Sequence, residues 1–284
     1  MIDGVAQRVI STDGTQIGFL SQGRGPGLVL VQGAMADVSA YLDLAADLAK
    51  SFTVHSAERR GRGISPRPYT EDHDLARDVE DVDAILRATG ADLVFGLSSG
   101  AVITLEAART LPGVRAVAVY EPPFYADGID HAGIERLGRE IKSGESGAAL
   151  LDALRTAGTA PALFRLLPRP LGKALARAAL ALDDRRRTGG ASLRQLLPGV
   201  RYDFHDVAQV DGRAAMYGAV NKPVLLISGT KSPRFLRQAI RMLHDAIPGS
   251  THVELDGLGH DGPWNTGSPS AVAEAIREHL HCST

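Results

Sequence analysis

Short apolar runs alternate along this chain with amphipathic helical stretches, and that alternation limits the fold more than any other feature of the sequence. Gly27-Leu28-Val29-Leu30-Val31-Gln32-Gly33 is apolar over most of its length and ends in glycine, so it reads as a strand buried on both faces. Asp37 is placed to cap a following helix that runs to about Lys50. Phe52 to Ser56 is a second strand, ended by the Gly/Arg-rich turn Arg59 to Gly63. Leu75, Val79, Val82 and Leu86 recur at helical spacing and form one stripe. Asp92 to Gly96 is a third strand, Gly100 to Thr110 a helix, and Val114 to Tyr120 a fourth strand. After Pro122-Pro123 the chain becomes rich in Ala, Leu and Arg and reads as several short helices to about Asn221. Strands return at Pro223 to Ser228 and Thr251 to Leu255, with a helix from Pro233 to Ala246 between them. A last helix sets Val272, Ile276 and Leu280 on one face. The expected fold class is α/β: a mostly parallel sheet with helices on both faces. Residues 1–122 and 222–284 form its core, and residues 123–221 are an inserted helical lid.

Composition narrows the function. Among 284 residues, 31 are Lys or Arg and 33 are Asp or Glu, a net charge of -2 that argues against nucleic acid or an anionic membrane as partner. The one cysteine, Cys282, cannot form an intrachain disulfide or a cysteine-rich metal site. The first residues lack a signal-peptide pattern, and no apolar run approaches the ~20 residues of a bilayer span. The expectation is a cytoplasmic protein acting on a small molecule, with a homodimer compatible and no metal or organic cofactor required.

Gly96-Leu97-Ser98-Ser99-Gly100 falls where a buried strand meets a helix. G-x-S-x-G in that setting is a nucleophile elbow: a sharp turn exposes the central hydroxyl, and the helix N-terminus points free N–H groups at the same spot. Other segments follow in order. They are Gln32-Gly33-Ala34 after the first buried strand, Glu58-Arg59-Arg60-Gly61-Arg62-Gly63-Ile64-Ser65 after the second, and Gly257-Leu258-Gly259-His260 after the last. On these residues the chain resembles the α/β-hydrolase superfamily over nearly its whole length. The segments Tyr120-Glu121-Pro122-Pro123 and Gly229-Thr230-Lys231-Ser232-Pro233 look like those of small lidded serine hydrolases common in actinobacteria.

The resemblance implies an α/β-hydrolase fold and a set of roles. Ser98 is the nucleophile, activated by His260 as base. The backbone N–H groups of Ala34 and Ser99 form the oxyanion hole, with Gln32 standing where the family usually has histidine and able to bond in the site. The third member departs from the usual pattern. The loop after the post-lid strand carries Lys231 and no carboxylate, so Glu121, after the strand before the lid, is the expected acid. Asp256, Asp261 and a Ser–His dyad remain alternatives. Aromatic residues in the lid and the histidine loop (Phe124, Tyr125, Phe164, Tyr202, Phe204 and Trp264) are candidates to line an apolar pocket, Phe124 and Trp264 foremost. The basic runs Arg59-Arg60-Gly61-Arg62 and Arg185-Arg186-Arg187 read as a solvated turn and as lid surface beside Asp183 and Asp184. The expected reaction is cleavage of an ester, thioester, lactone or similarly activated carbonyl through an acyl-enzyme. A lyase, cyclase or acyl transferase using the same serine and histidine, or a binding protein on this fold, is the alternative.

Overall fold

The computed structural model describes residues 4–66, 69–160, 164, 166–186 and 189–281. Its centre is an eight-stranded sheet. In chain order the strands are β1 (Val5–Ile10), β2 (Gln16–Gly23), β3 (Gly27–Val31), β4 (Thr53–Ala57), β5 (Leu93–Leu97), β6 (Ala116–Tyr120), β7 (Val224–Gly229) and β8 (Thr251–Leu255). They lie side by side as β1-β2-β4-β3-β5-β6-β7-β8. From β4 to β8 every pairing is parallel, whereas β1, β2 and β4 pair antiparallel. The sequence reading missed the hairpin of β1 and β2. The outer strand β1 is largely exposed, so it carries no apolar run to betray it.

The apolar strands are buried on both faces because each feeds two separate layers. Val29, Val31, Val94, Val117 and Val119 point into one, and Leu28, Leu30, Leu93, Phe95, Ala116 and Ala118 into the other. The alternation is the period-2 geometry of a strand. Helix α1 (Leu42–Leu48) covers the second layer, together with the last helix and its Val272, Ile276 and Leu280. Helix α2 (Leu75–Thr89) covers the first with the stripe Leu75, Val79, Val82 and Leu86, all buried. The Asp74 side chain caps α2 by accepting from the Arg77 N–H, and Gly90 ends it in a left-handed conformation at φ 71°. Fully burying such apolar side chains contributes about 1.5–3 kcal/mol each. Asp37 does cap a helical turn, but that turn is a short 3-10 segment, Val38–Tyr41, and α1 begins only after it.

Between β6 and β7 the described residues contain helices and no strand. They are α4 (His131–Lys142), α5 (Ser146–Thr156), α6 (Arg169–Arg186), α7 (Leu193–Leu196) and α8 (Val200–Val210), following the core helix α3 (Ser99–Thr110). Helix α8 lays Val200, Phe204, Val207 and Val210 into the same apolar layer that α3 occupies, which seats the insert over the C-terminal ends of the central strands. No helix among the described residues is long and apolar enough to cross a membrane. Arg185 and Arg186 are exposed on α6 as expected, while Arg187 and Cys282 lie outside the described residues.

The other basic run corrects the sequence reading. Arg59, Arg60 and Arg62 are only 4%, 4% and 3% exposed, so this turn is not solvated. Arg60 pairs with Asp81 and Asp13. Arg59 meets Asp78, Asp203 and Asp206, and Arg62 meets Asp203. A guanidinium is buried only where carboxylates meet it, and these come from α2, from α8 and, for Asp13, from the turn between β1 and β2.

Candidate active site

Ser98 sits between β5 and α3 with φ 55° and ψ -122°, a conformation that ordinary residues avoid. Two glycines make the turn feasible. A Cβ on Gly96 would collide with the Gly100 carbonyl and the Thr104 hydroxyl, and one on Gly100 with the carbonyls of Val31 and Gln32. The Ser98 N–H donates to the Tyr120 carbonyl at 2.9 Å, tying the elbow to the end of β6. Among the described residues three non-glycine positions have positive φ: Met35 at 57°, Ser98 at 55° and Glu121 at 49°. Such angles cost ~1–3 kcal/mol each and persist where surrounding structure enforces them.

Glu121 follows β6 directly and is fully buried. Its N–H donates to the Ile227 carbonyl at 3.1 Å, and its Oε1 accepts from the Gly229 N–H at 2.8 Å. The other oxygen, Oε2, lies 2.7 Å from His260 Nδ1. An ionised carboxylate only accepts, so this contact places the ring proton on Nδ1 and leaves Nε2 free to accept. The Tyr120 hydroxyl donates to the Gly259 carbonyl at 2.7 Å and steadies the loop that carries the histidine. The two alternative acids are elsewhere. Asp256 is exposed and accepts from the Thr230 hydroxyl at 3.1 Å, and Asp261, the residue after His260, is exposed. Lys231 is exposed too.

Ser98 and His260 line one cavity of about 150 Å³. Gly33, Ala34, Met35 and Ser99 close the end nearest the elbow. Most of the remaining wall is apolar: Leu97, Tyr125, Leu150, Leu154, Phe204, Val207 and Phe235 among others. Ser99 is the first residue of α3, where N–H groups have no partner within the helix. The Gly33 N–H donates to the Tyr41 hydroxyl at 3.1 Å, and Trp264 Nε1 donates to the same oxygen at 3.2 Å. Burial pushes the Tyr41 phenol up to about 12, which keeps it a neutral hydroxyl there.

Two expected pocket residues are not in the cavity wall. Gln32 turns away from it, its amide donating to the Ala57 carbonyl and, at 3.4 Å, to Glu58. The end of the neighbouring strand β4 and the residue after it offer those acceptors to a side chain that is otherwise buried. Phe124 points into the apolar layer and packs edge-on against Tyr217, while its neighbours Pro123 and Tyr125 face the cavity. Trp264 and Phe204 do line it, as does a residue the sequence did not single out, Asp203 of α8. Tyr202 instead stacks on Tyr69, and Phe164 packs against the core.

A second buried cluster lies behind Asp203. The ligating atoms of His73, Asp78 and Asp206 are within 4.8 Å of one another, spacing that a metal ion would tolerate. Arg59 already reaches Asp78 at 3.2 Å and Asp206 at 3.1 Å, and supplies positive charge to both carboxylates. Burial opposes a charge on His73, but hydrogen bonds to Asp206 and Asp78 outweigh it and raise the imidazole to about 9.

Comparison with known proteins agrees with this architecture. A pimeloyl-[acyl-carrier protein] methyl ester esterase of Stenotrophomonas maltophilia is 30% identical over 268 residues, covering 91% of this chain and 94% of its own. An alpha/beta hydrolase from Sphaerobacter thermophilus is 30% identical with a TM-score of 0.77, covering 96% of this chain and all of that one (100%). A thermophilic esterase from Thermogutta terrifontis shares the fold at 19% identity, with a TM-score of 0.74 over 98% of this chain and 99% of its own. The sequence profile described as "Alpha/beta hydrolase family" matches residues 28–275, and the chain belongs to that family.

Proposed function

We propose that this protein is a serine hydrolase that cleaves a carboxylic ester, or a related thioester or lactone, through an acyl-enzyme. The observation that carries the reading is the pairing of His260 with buried Glu121 on the rim of the cavity that holds the strained Ser98. In this reading Ser98 Oγ attacks the carbonyl carbon while His260 Nε2 takes its proton. The carbonyl oxygen becomes an oxyanion that accepts from the N–H groups of Ala34 and Ser99. The tetrahedral intermediate collapses, and the leaving alcohol takes the proton from His260. Water, deprotonated by the same ring, then attacks the acyl carbon and frees Ser98. Glu121 holds the ring by Nδ1 and stabilises its cationic form.

The apolar wall suits the acyl portion of the substrate, and the helical insert serves as a lid that sets its shape. The relatives named as methyl ester esterases of an acyl-carrier-bound pimeloyl group support an ester with an apolar acyl chain and a small alcohol. A fluorophosphonate probe tests the reading. One equivalent of label is expected on the wild-type protein, mapped to the peptide bearing Ser98, with turnover of short p-nitrophenyl esters. Ser98→Ala should stay folded, take no label and lose ~10³-fold or more in kcat. An unlabelled wild-type protein would favour a binding role, and labelling of another serine would reassign the nucleophile.

A further inference from the structure

Among the described residues the cavity wall contains a single lid carboxylate, Asp203, and that carboxylate grips two separate pieces of the core. It is buried, at 2% exposure. Its Oδ1 accepts from the Ser99 hydroxyl at 2.8 Å and from Arg59 Nη1. Its Oδ2 accepts from Arg62 Nη2 at 2.7 Å. Arg62 passes the restraint on: its Nη1 donates to the Gly33 carbonyl at 2.8 Å and to the Ala36 carbonyl at 3.0 Å. Those carbonyls bracket Ala34 and the strained Met35. Arg59 also donates to the Ser99 hydroxyl at 3.2 Å. One carboxylate of α8 therefore holds the first residue of α3 directly and the 33–36 loop through one guanidinium.

Stability alone does not call for this arrangement. A buried ion network often contributes no more than well-packed apolar side chains of the same volume, and the rest of this wall is mostly apolar. Its geometry has a more specific use. The two segments it joins are the ones whose N–H groups receive the oxyanion in the proposed reaction. We propose that Asp203 is a positioning residue that sets the spacing of the Ala34 and Ser99 N–H donors. It thereby makes the oxyanion hole depend on the docking of the lid. The proposal rests on the serine-hydrolase reading above. Oxyanion donors act only when preorganised where charge develops, so a displaced donor weakens the transition state more than the bound substrate.

The test compares an ester with its thionoester, whose developing sulfur anion is a poorer hydrogen-bond acceptor and so draws less from the hole. For wild type the ester should react much faster. Asp203→Asn keeps the side chain's shape but replaces one accepting oxygen by a donor facing a guanidinium. It should lower kcat for the ester by roughly 10–100-fold, leave KM within about 3-fold, and shrink the ester-to-thionoester ratio by roughly 10-fold. Ser99→Ala cuts only the direct link, introduces no buried amide and keeps the backbone donor. It should shrink the ratio as well, and it serves alone if Asp203→Asn does not fold. Asp206→Asn, in the same buried cluster but touching neither Ser99 nor Arg62, should change stability and leave the ratio at the wild-type value. An unchanged ratio in folded Ser99→Ala and Asp203→Asn overturns the proposal. An equal fall in Asp206→Asn overturns it too, since the effect would then be general loosening. A wild-type protein that turns over neither ester and takes no fluorophosphonate label sinks the underlying reading and this one with it.

Discussion

Glu121 departs from β6 with φ 49°, a conformation that a side chain resists, and three contacts fix it there: its own N–H on Ile227, Gly229 on one oxygen and His260 on the other. Gly229 ends β7 and opens the loop where relatives of the resembled type usually carry their acid. Here that loop contributes a backbone donor instead, and the carboxylate comes from the neighbouring strand. Glu121→Gln preserves shape but cannot stabilise a ring cation, and its amide can hold the ring in the wrong tautomer. The expected loss in kcat is about 10²–10⁴-fold, read by steady-state ester hydrolysis, with little change in melting temperature. Asp256→Asn, Asp261→Asn and Lys231→Ala should stay within a few-fold, because those side chains are exposed and it is Glu121 that meets the ring nitrogen of His260. A collapse in any of them, with Glu121→Gln active, would move the acid to the other side of the loop.

At the scale of elements, the strand-to-helix junction is held by contact between backbones rather than by side chains. Helix α3 starts so close to the end of β3 that the site of a Gly100 Cβ is taken by two carbonyl oxygens. Neither oxygen can move without disturbing the sheet, since β3 is paired with β4 on one side and β5 on the other. Gly100→Ala should therefore destabilise the protein by about 1–3 kcal/mol, despite the better helix propensity of alanine. Urea unfolding would show this as a lower midpoint at unchanged slope. Gly138, within α4 and with open space around its Cβ position, is the control: Gly138→Ala should be neutral or stabilising.

Across the whole molecule, buried charge ties the helical insert to the sheet domain and gives stability a pH dependence. His73, facing Asp78 and Asp206 with Arg59 beside them, is raised from 6.5 to about 9 in the folded protein. A group raised on folding gives its full stabilisation below its unfolded value and loses it as pH climbs through the folded one. That part of the stability is present at pH 6 and fades between about 6.5 and 9. Asp206, raised by burial and the charge of Asp78, and Glu58, pushed up to about 8 by burial and Asp37, change stability in the same direction. Urea denaturation should give a lower unfolding free energy at pH 9 than at pH 6, and His73→Gln should flatten the slope above pH 6.5. Stability that rose over this interval would contradict the protonated cluster.

The features readable without coordinates are those set by neighbours in the chain. Short continuous apolar runs marked β3, β5, β6 and β7 as strands buried on both faces, and spacing by three and four marked the buried stripe of α2. A glycine-flanked serine between a strand and a helix marked the elbow, because steric limits on a tight turn act over five residues. Gln32, Phe124 and Arg59 to Arg62 show where such signals end. Gln32 and Phe124 occupy promising positions but point away, drawn to an acceptor on β4 and to Tyr217. A run of arginines looks solvated until Asp78, Asp203 and Asp206 arrive from helices beyond it. Whether a charge can be buried depends on what stands opposite, and that partner is chosen by the packing of the helical insert on the sheet. The chain's own order thus marked the apolar strands of the sheet's interior, the striped helices and the position of the serine at the elbow, but not the exposed hairpin of β1 and β2. The resemblance offers Glu121 beside Asp256, Asp261 and no acid at all; only tertiary structure shows which carboxylate meets the His260 ring, 139 positions away, because side-chain contact depends on distance in space and local periodicity holds no record of it.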